Sequence, residues 1–386
     1  MPKLNIACIV GARPNFMKMA PILRALEAYP DVGTTLIHTG QHYDANLSDV
    51  FFQELEIKAP DHFLNIGGGK QGVQTARMLE ALEATFEAGA KDGNPFDRVV
   101  VVGDVNSTLA ATLAAAKLGI PVAHVEAGLR SFDRTMPEEI NRIVTDSLAD
   151  MLLVSEPSGV INLRREGHPE KNIHLVGNVM IDTLRHMLPA AEARNASERY
   201  GVQARQYGLV TFHRPSNVDS QKGLSQVVGV LKWAASRIPL LFPVHPRTRN
   251  RLDEFGLWEQ LVSTPDIELL PPLGYLDCLA LTYLAKVVIT DSGGLQEETT
   301  ALGVPCLTMR PNTERPITTE IGTSTLVGND PQRLRDALES VFDDRYKSGG
   351  APDNWDGHAA QRIAEQLVAV HESREPEVFT DGVVTY

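Results

Sequence analysis

Short runs that are apolar throughout, each followed by a longer amphipathic segment, recur along this chain, and that alternation limits the fold more than any other feature. In the first half, LNIACIV (4–10), TTLIHT (34–39), RVVVV (98–102), PVAHV (121–125), MLLV (151–154) and IHLV (173–176) read as strands. Helices are expected between them at 17–28, 44–55, 71–88, 107–118, 138–149 and 156–166. A strand apolar on both faces must be covered on both faces, and strands separated by helices run parallel. After a polar Ala/Arg/Glu-rich stretch at 189–206 the pattern restarts with GLVTF (208–212), PLLFPV (239–244), IELL (267–270), KVVIT (286–290) and VPCLTM (304–309).

The expected fold is therefore α/β, with two Rossmann-like parallel-sheet domains, 1–188 and 189–357, facing a central cleft across a hinge at 189–206. A last helix, within about 358–386, is free to pack back on either domain. At 386 residues the chain is long for one core, which agrees. A net charge of -13 argues against nucleic acid as a partner, so an anionic ligand must be held by a few local cations and backbone N–H groups. Cys8, Cys278 and Cys306 have no metal or redox spacing. The start lacks a signal-peptide pattern and no apolar run approaches spanning length, which reads as a cytoplasmic protein without membrane contact.

In a doubly wound sheet, residues just past the carboxyl ends of strands line the ligand crevice. Asp104 follows four consecutive valines, Glu126 follows PVAHV, and Glu138 and Arg142 lie four apart at the start of a helix. Three carboxylates so placed suggest proton transfer, although each has a plainer reading: Asp104 as a helix cap, Glu138 and Glu139 as acids complementing a helix dipole. GARPNFMKMAP (11–21) lacks the glycines of a dinucleotide loop, yet puts Arg13 and Lys18 near a helix N-terminus, where phosphate is welcome. GGGKQ (67–71) fails the phosphate-loop template and reads as a turn before a helix. TDSGGLQEE (290–298) offers Ser292, Gly293 and Gly294 as backbone donors to a diphosphate and Glu298 to a ribose, with a serine cap as the alternative. Arg310 and Arg315 are placed to clamp the same phosphates, unless they form a surface ion pair. His213 and Arg214, then His245 and Arg247, follow two further strands. No close His/Cys/Asp ligand cluster suggests a metal.

Taken together and in order, GARPNFMKMAP, TGQHYD, VGDVNSTLA, HVEAGLR, PEEINR, GNVMIDTL, FHRPSN, PVHPRT, TDSGGLQEETTALGVP and NTERPIT resemble the non-hydrolysing UDP-N-acetylglucosamine 2-epimerases over nearly the whole chain to about residue 328. The resemblance implies a glycosyltransferase-B-like pair of domains binding a UDP-sugar between them, a homodimer, and no metal or nicotinamide cofactor. It implies removal of the proton on carbon 2 coupled to departure of UDP from carbon 1, a glycal intermediate, and re-addition of UDP with protonation from the other face. On this resemblance Asp104, Glu126, Glu138 and His213 are catalytic. Arg13, Lys18, Arg142, His245, Ser292, Gly293, Gly294, Glu298 and Arg315 are the substrate-binding set. Crowded carboxylates in a closed cleft are expected to have raised pKa values.

Three departures bear on the substrate and on regulation. HRPSN stands where many members have HRREN. Gln41, His42, Lys70 and Gln71 match segments that mediate activation by a second substrate molecule, but Asp44 replaces an amide there. Cys278 stands where relatives often have Phe, near the expected uracil. Such variants also resemble epimerases for UDP-2,3-diacetamido-2,3-dideoxyglucuronic acid, whose charged sugar needs a further cation from Arg214, His245 or Arg247. The competing readings are a hydrolysing epimerase, a retaining glycosyltransferase, a dehydrogenase, and a non-catalytic UDP-sugar sensor that could dispense with Asp104, Glu126, Glu138 and His213.

Overall fold

The computed structural model describes residues 3–41 and 57–372; the expected helix at 44–55 lies outside them, as does His42. Seven parallel strands form the first sheet: β1 (Leu4–Val10), β2 (Val32–His38), β3 (His62–Phe63), β4 (Arg98–Val102), β5 (Val122–Val125), β6 (Met151–Val154) and β7 (Ile173–Leu175), in the order β3-β2-β1-β4-β5-β6-β7. The second sheet holds β8 (Gly208–Thr211), β9 (Leu240–Pro243), β10 (Ile267–Leu270), β11 (Val287–Thr290), β12 (Cys306–Thr308) and β13 (Ser324–Leu326), in the order β10-β9-β8-β11-β12-β13, also parallel. The two Rossmann-like sheets expected from the sequence are present. β3 and β13 were not anticipated, because two exposed residues and the polar triplet STL carry no apolar signal.

The longer helices of the first domain are α1 (Arg13–Leu26), α2 (Gln71–Lys91), α3 (Asn106–Lys117), α4 (Pro137–Leu148), α5 (Pro157–Arg165) and α6 (Val179–Glu192). Those that follow are α7 (Gln221–Ala235), α8 (Pro246–Glu254), α9 (Tyr275–Leu284), α10 (Gly293–Leu302), α11 (Pro331–Phe342) and α12 (Ala359–Glu372). β1 and β4 are buried along their whole length, as continuous apolar runs require.

Both sheets reverse direction of travel. From β1 the chain steps outward through β2 and β3, then returns to place β4 on the other side of β1; β8 to β11 repeats this. The carboxyl ends of β1, β4, β8 and β11 therefore mark two switch points, where α/β sheets open a crevice.

The segment joining the sheets differs from expectation. Pro189 does not begin a hinge but sits inside α6, which runs on to Glu192. Proline costs that helix one backbone bond, yet Val179, Ile181, Leu184, Met187 and Ala191 are buried along it, and that burial outweighs the loss. α12 returns to the first domain: Ile363 and Leu367 lie in one core cluster with Met19, Ile22 and Leu26 of α1. Its N-terminus is capped from α6, where Asp182 accepts from the backbone N–H groups of Ala359 (3.2 Å) and Ala360 (2.7 Å).

Candidate active site

At the carboxyl end of β1 the chain turns sharply into α1 because Asn15 holds the turn. Its Oδ1 accepts from the N–H of Gly11 (3.1 Å) and Ala12 (3.0 Å), while its Nδ2 donates to the Val102 carbonyl at 2.9 Å. This ties the start of α1 to the end of β4 and aims Lys18, one turn further on, across the strand ends. Lys18 is buried and ion-paired with Glu126. Gly103 lies between them at φ +69, where a Cβ would come within 3.0 Å of the Lys18 Nζ.

Glu126 itself occupies the left-handed region, at φ +70. A non-glycine residue held there costs on the order of 1–3 kcal/mol and persists only when its surroundings impose it. Beneath it lies a buried scaffold: His124 Nδ1 is 2.6 Å from Asp146, and its Nε2 is 2.8 Å from the Gly103 carbonyl. Asp146 in turn accepts from the Gly128 N–H (3.0 Å) and pairs with Arg130 (2.7 Å). Burial alone would push the Glu126 carboxyl up, but Lys18, Arg315 and His124 more than offset it and hold the group below the usual range. This corrects the expectation of a raised pKa there: the carboxylates do not crowd alone but are interleaved with cations. Glu126 Oε1 is buried and has no hydrogen-bond partner.

Asp104 is not a helix cap, since Val105 occupies that position in α3. Its half-exposed carboxylate pairs with Arg142, and its carbonyl accepts from Asn141 at 2.9 Å. Arg142 pairs with Glu139 (2.6 Å) and not with Glu138, the neighbour four residues away. Glu139 is buried and also accepts from Ser131 and Phe132, so it is a fixed strut that aims Arg142. Glu138, half-buried, faces Arg214 of the second domain electrostatically. Gln41 accepts from the Ser107 N–H (3.0 Å) and hydroxyl (2.8 Å), and Gln71 accepts from Asn106 (2.7 Å). Both therefore touch the first turn of α3, next to Asp104, while Lys70 is exposed.

The second domain presents the start of α10. Ser292 stands at the cap position, but its side chain makes no capping bond, so the serine-cap alternative does not account for it. A Cβ on Gly293 would meet Glu314 Oε1 at 3.1 Å, Arg315 Nη1 at 3.2 Å and Arg310 Nη1 at 3.7 Å. Arg310 and Arg315 are buried rather than a surface pair: Glu314 bonds Arg310 at 2.7 Å and Arg315 at 2.5 Å, and Arg315 reaches Glu297 at 2.6 Å. Arg310 Nη1 is nevertheless buried without a partner beside this helix start. Burial pushes Glu298 up to about 7; Tyr275 and Arg13 oppose that rise and Glu297 adds to it. Arg13, though exposed, thus lies across from Glu298, and Cys278 sits in the same neighbourhood. His213 Nδ1 is 3.0 Å from Asp291, and its ring centroid is 5.6 Å from that of His245. Arg247 is exposed and committed to Asp219.

The domains meet through apolar packing, with Leu184 and Met187 of α6 in one core cluster with Leu276 and Leu279 of α9, and through polar contacts. Asn178 donates to Glu297 at 2.8 Å, and Glu156, pushed up to about 7 by burial, lies near Arg315 and Glu297. The carboxyl ends of both sheets therefore face one seam, with acids and their cations on the first domain and an anion-receptive helix start on the second. The sequence model for UDP-N-acetylglucosamine 2-epimerase matches residues 24–368. The chain belongs to that family. A Methanocaldococcus jannaschii UDP-N-acetylglucosamine 2-epimerase is 42% identical over 374 residues, covering 94% of this chain and 99% of that protein. A Pseudomonas aeruginosa UDP-2,3-diacetamido-2,3-dideoxy-D-glucuronate 2-epimerase is 37% identical over 373 residues, covering 94% and 99%. A crystal structure of the M. jannaschii UDP-GlcNAc 2-epimerase in complex with UDP-GlcNAc and UDP superimposes with a TM-score of 0.82 at 40% identity, covering 95% of this chain and 100% of that one.

Among the described residues no group of three His, Cys, Asp or Glu is arranged to hold a metal ion, and no helix is long and apolar enough to cross a membrane. For an epimerase scaffold, the residues not singled out from the sequence are the supports Asp291, Glu297, Glu314 and the His124–Asp146 pair, while Glu139, expected only to complement a helix dipole, is a support as well. Asp291 carried a usable signal, since like Glu126 it directly follows a buried strand. Glu314 carried none, because it acts only through two arginines in a loop.

Proposed function

We propose that the chain interconverts UDP-N-acetylglucosamine and UDP-N-acetylmannosamine by epimerisation at carbon 2, through elimination and re-addition of UDP. The observation that carries this reading is Glu126: a buried carboxylate kept ionised by Lys18 and Arg315, with one oxygen lacking any partner. An ionised, desolvated acceptor at a strand end is equipped to take a proton from carbon. The hydrogen on carbon 2 is too weakly acidic to leave alone, so its removal is coupled to breaking the carbon 1–oxygen bond. The electron pair left on carbon 2 forms the glycal double bond, and the carbon 1–oxygen pair leaves with UDP. The growing diphosphate charge falls on Arg310, Arg315 and the N–H groups of Gly293 and Gly294, with Ser292 alongside. In the return step a UDP oxygen attacks carbon 1 while a carboxylic acid protonates carbon 2 from the opposite face. Asp104, half-exposed and steered by Arg142, is the residue we assign to that face. Glu138 and His213 close on the sugar from the two sides of the seam.

Arg13, Lys18, Glu298 and His245 complete the substrate-binding set, with Glu298 toward the ribose. We take the two sheet domains as the moving units, joined beyond the end of α6 at Glu192 rather than at the expected boundary between 188 and 189, and the enzyme as a cytoplasmic homodimer that binds neither nucleic acid nor membrane and needs no cofactor. Proton NMR of UDP-N-acetylglucosamine with the enzyme in deuterium oxide tests the reading. A new UDP-N-acetylmannosamine anomeric signal, deuterium at carbon 2 and little free UDP are expected. Free UDP in step with free N-acetylmannosamine would transfer the chain to hydrolytic chemistry. Absence of turnover would reject this substrate and make the diacetamido-glucuronate nucleotide, with Arg214 facing its carboxylate, the next to try.

A further inference from the structure

Strands β8 and β11 pair in register, with Thr211 opposite Thr290, so the residues that follow them leave the sheet side by side. Those residues are His213, whose side chain is 43% exposed toward the cleft, and Asp291, which is fully buried. The Asp291 carboxylate is gripped asymmetrically. Oδ2 accepts from the backbone N–H of His213 (3.1 Å) and Arg214 (2.9 Å) and from the Asn217 amide (2.9 Å), and that amide is itself fixed to the Met309 carbonyl at 3.0 Å. Oδ1 faces the His213 N–H at 3.2 Å and the His213 ring Nδ1 at 3.0 Å.

We propose that Asp291 is a positioning residue that acts through His213, holding the proton on Nδ1 so that Nε2 is the ring atom presented to the substrate. An ionised carboxylate can only accept, so the atom facing it must donate; in neutral imidazole that leaves the Nε2 lone pair outward. The sequence shows this acid as a strand-end residue, but nothing in it links the acid to His213. The pairing is visible only once the two strands are placed side by side.

The asymmetric grip makes the test specific. In Asp291→Asn the side-chain oxygen is drawn to the Oδ2 position, where three donors converge, and the new NH2 group is left facing His213 Nδ1. A donor there forces the proton to Nε2, the opposite tautomer. The role rests on the epimerase reading, so one readout is independent of turnover. Nitrogen-15 NMR of histidine-labelled protein, with the His213 signals assigned by their loss in His213→Asn, should show Nδ1–H in the native chain and Nε2–H in D291N. Turnover of UDP-N-acetylglucosamine should fall about 100-fold or more in D291N, within the range that positioned acid–base groups supply, while UDP affinity stays within about threefold. In the His213→Asn background, adding D291N should change kcat by less than about threefold, since a residue that works through the imidazole has nothing left to position.

A neutral His213 ring in the native protein with Nε2–H and an unprotonated Nδ1 overturns the proposal whatever the variants do. So does a D291N effect of equal size with and without His213, which would make Asp291 a structural strut. Failure of the native enzyme to turn over the substrate would count against the epimerase reading alone and leave the tautomer result to decide this one. If D291N does not fold, the native tautomer still decides it.

Discussion

Gly293→Ala separates the anion seat from the scaffold around it. The added methyl would lie 3.1 Å from Glu314 Oε1 and 3.2 Å from Arg315 Nη1, tighter than ordinary contact, but both atoms are far ends of flexible side chains. Gly293 has no positive φ, so alanine meets no backbone strain there, and it gains up to about 1 kcal/mol by losing less entropy in the helix. Stability should therefore stay within about 1 kcal/mol, or roughly 2–4 °C in midpoint for a domain of this size. Binding should respond differently. The methyl blocks close approach to the first N–H of α10 and removes a hydrogen bond to a charged group, worth about 1.5–3 kcal/mol. That is roughly a 10- to 150-fold loss in UDP affinity. Calorimetric titration with UDP beside a thermal melt measures both quantities. An affinity within about twofold of the native value, with the melt unchanged, would mean the diphosphate sits elsewhere. A melting point that fell together with affinity would mean the tight contacts around Gly293 hold the fold rather than the ligand.

Lys18→Met strips the touching cation from a buried carboxylate, which typically costs about 3–5 kcal/mol; Arg315 and His124 remain near Glu126, so the lower end is expected in denaturant unfolding. The Glu126 pKa is depressed in the native fold, so its stabilising effect is present above the ordinary value of 4.5 and fades as pH falls through the depressed one. The gap between native and K18M curves should accordingly narrow in acid, and a gap independent of pH would contradict the assignment. Glu156 has the opposite sign: its carboxyl is pushed from 4.5 up to about 7, so stability present below 4.5 is lost as pH rises through 7. Glu156→Gln should gain on the native chain by at most about 3 kcal/mol between pH 5 and 8, and equal melting differences at the two pH values would refute this. Gly128→Ala combines φ +80 with a Cβ 2.4 Å from the Gly159 carbonyl oxygen, a backbone atom that cannot step aside. It should cost about 3 kcal/mol or more, and near-native unfolding would show that the loop relaxes.

The sheets were legible because most of their strands are apolar on both faces: LNIACIV, RVVVV and MLLV are strands with the same ends in sequence and structure. β3 was hidden because its two residues are exposed, and the end of α6 fell in the polar Ala/Arg/Glu-rich stretch from 189, where the burial of Ala191 carries the helix on. The strand-end rule located the seam, and the structure brings Lys18, Glu126, Asp104 and Arg142 together in two ion pairs there. Which partner each chooses was not legible. Arg142 takes Glu139 and Asp104 rather than Glu138, because Ser131 and Phe132 fix the Glu139 carboxylate in front of it. Direction of titration was also beyond the sequence, since it depends on which cations fold up against each carboxylate: Lys18 from the same domain and Arg315 from the other, in the case of Glu126.

The start of α10 has a consequence for how a ligand arrives. Glu314 already stands against Gly293 with a carboxylate shared between Arg310 and Arg315, and Glu297 reaches Arg315 from the other side, so both guanidinium groups of the unliganded seat are already paired with acids. On the proposed binding mode, capture of a diphosphate is an ion exchange, in which the protein's own anion is displaced from two guanidinium groups that never stood bare. The net change in charge pairing is small, and dissolved ions screen the bound and unbound states to similar extents. Affinity for UDP should thus vary only shallowly with ionic strength, unlike that of a pocket built from open cations, and the displaced Glu314 remains close by to drive the nucleotide out again.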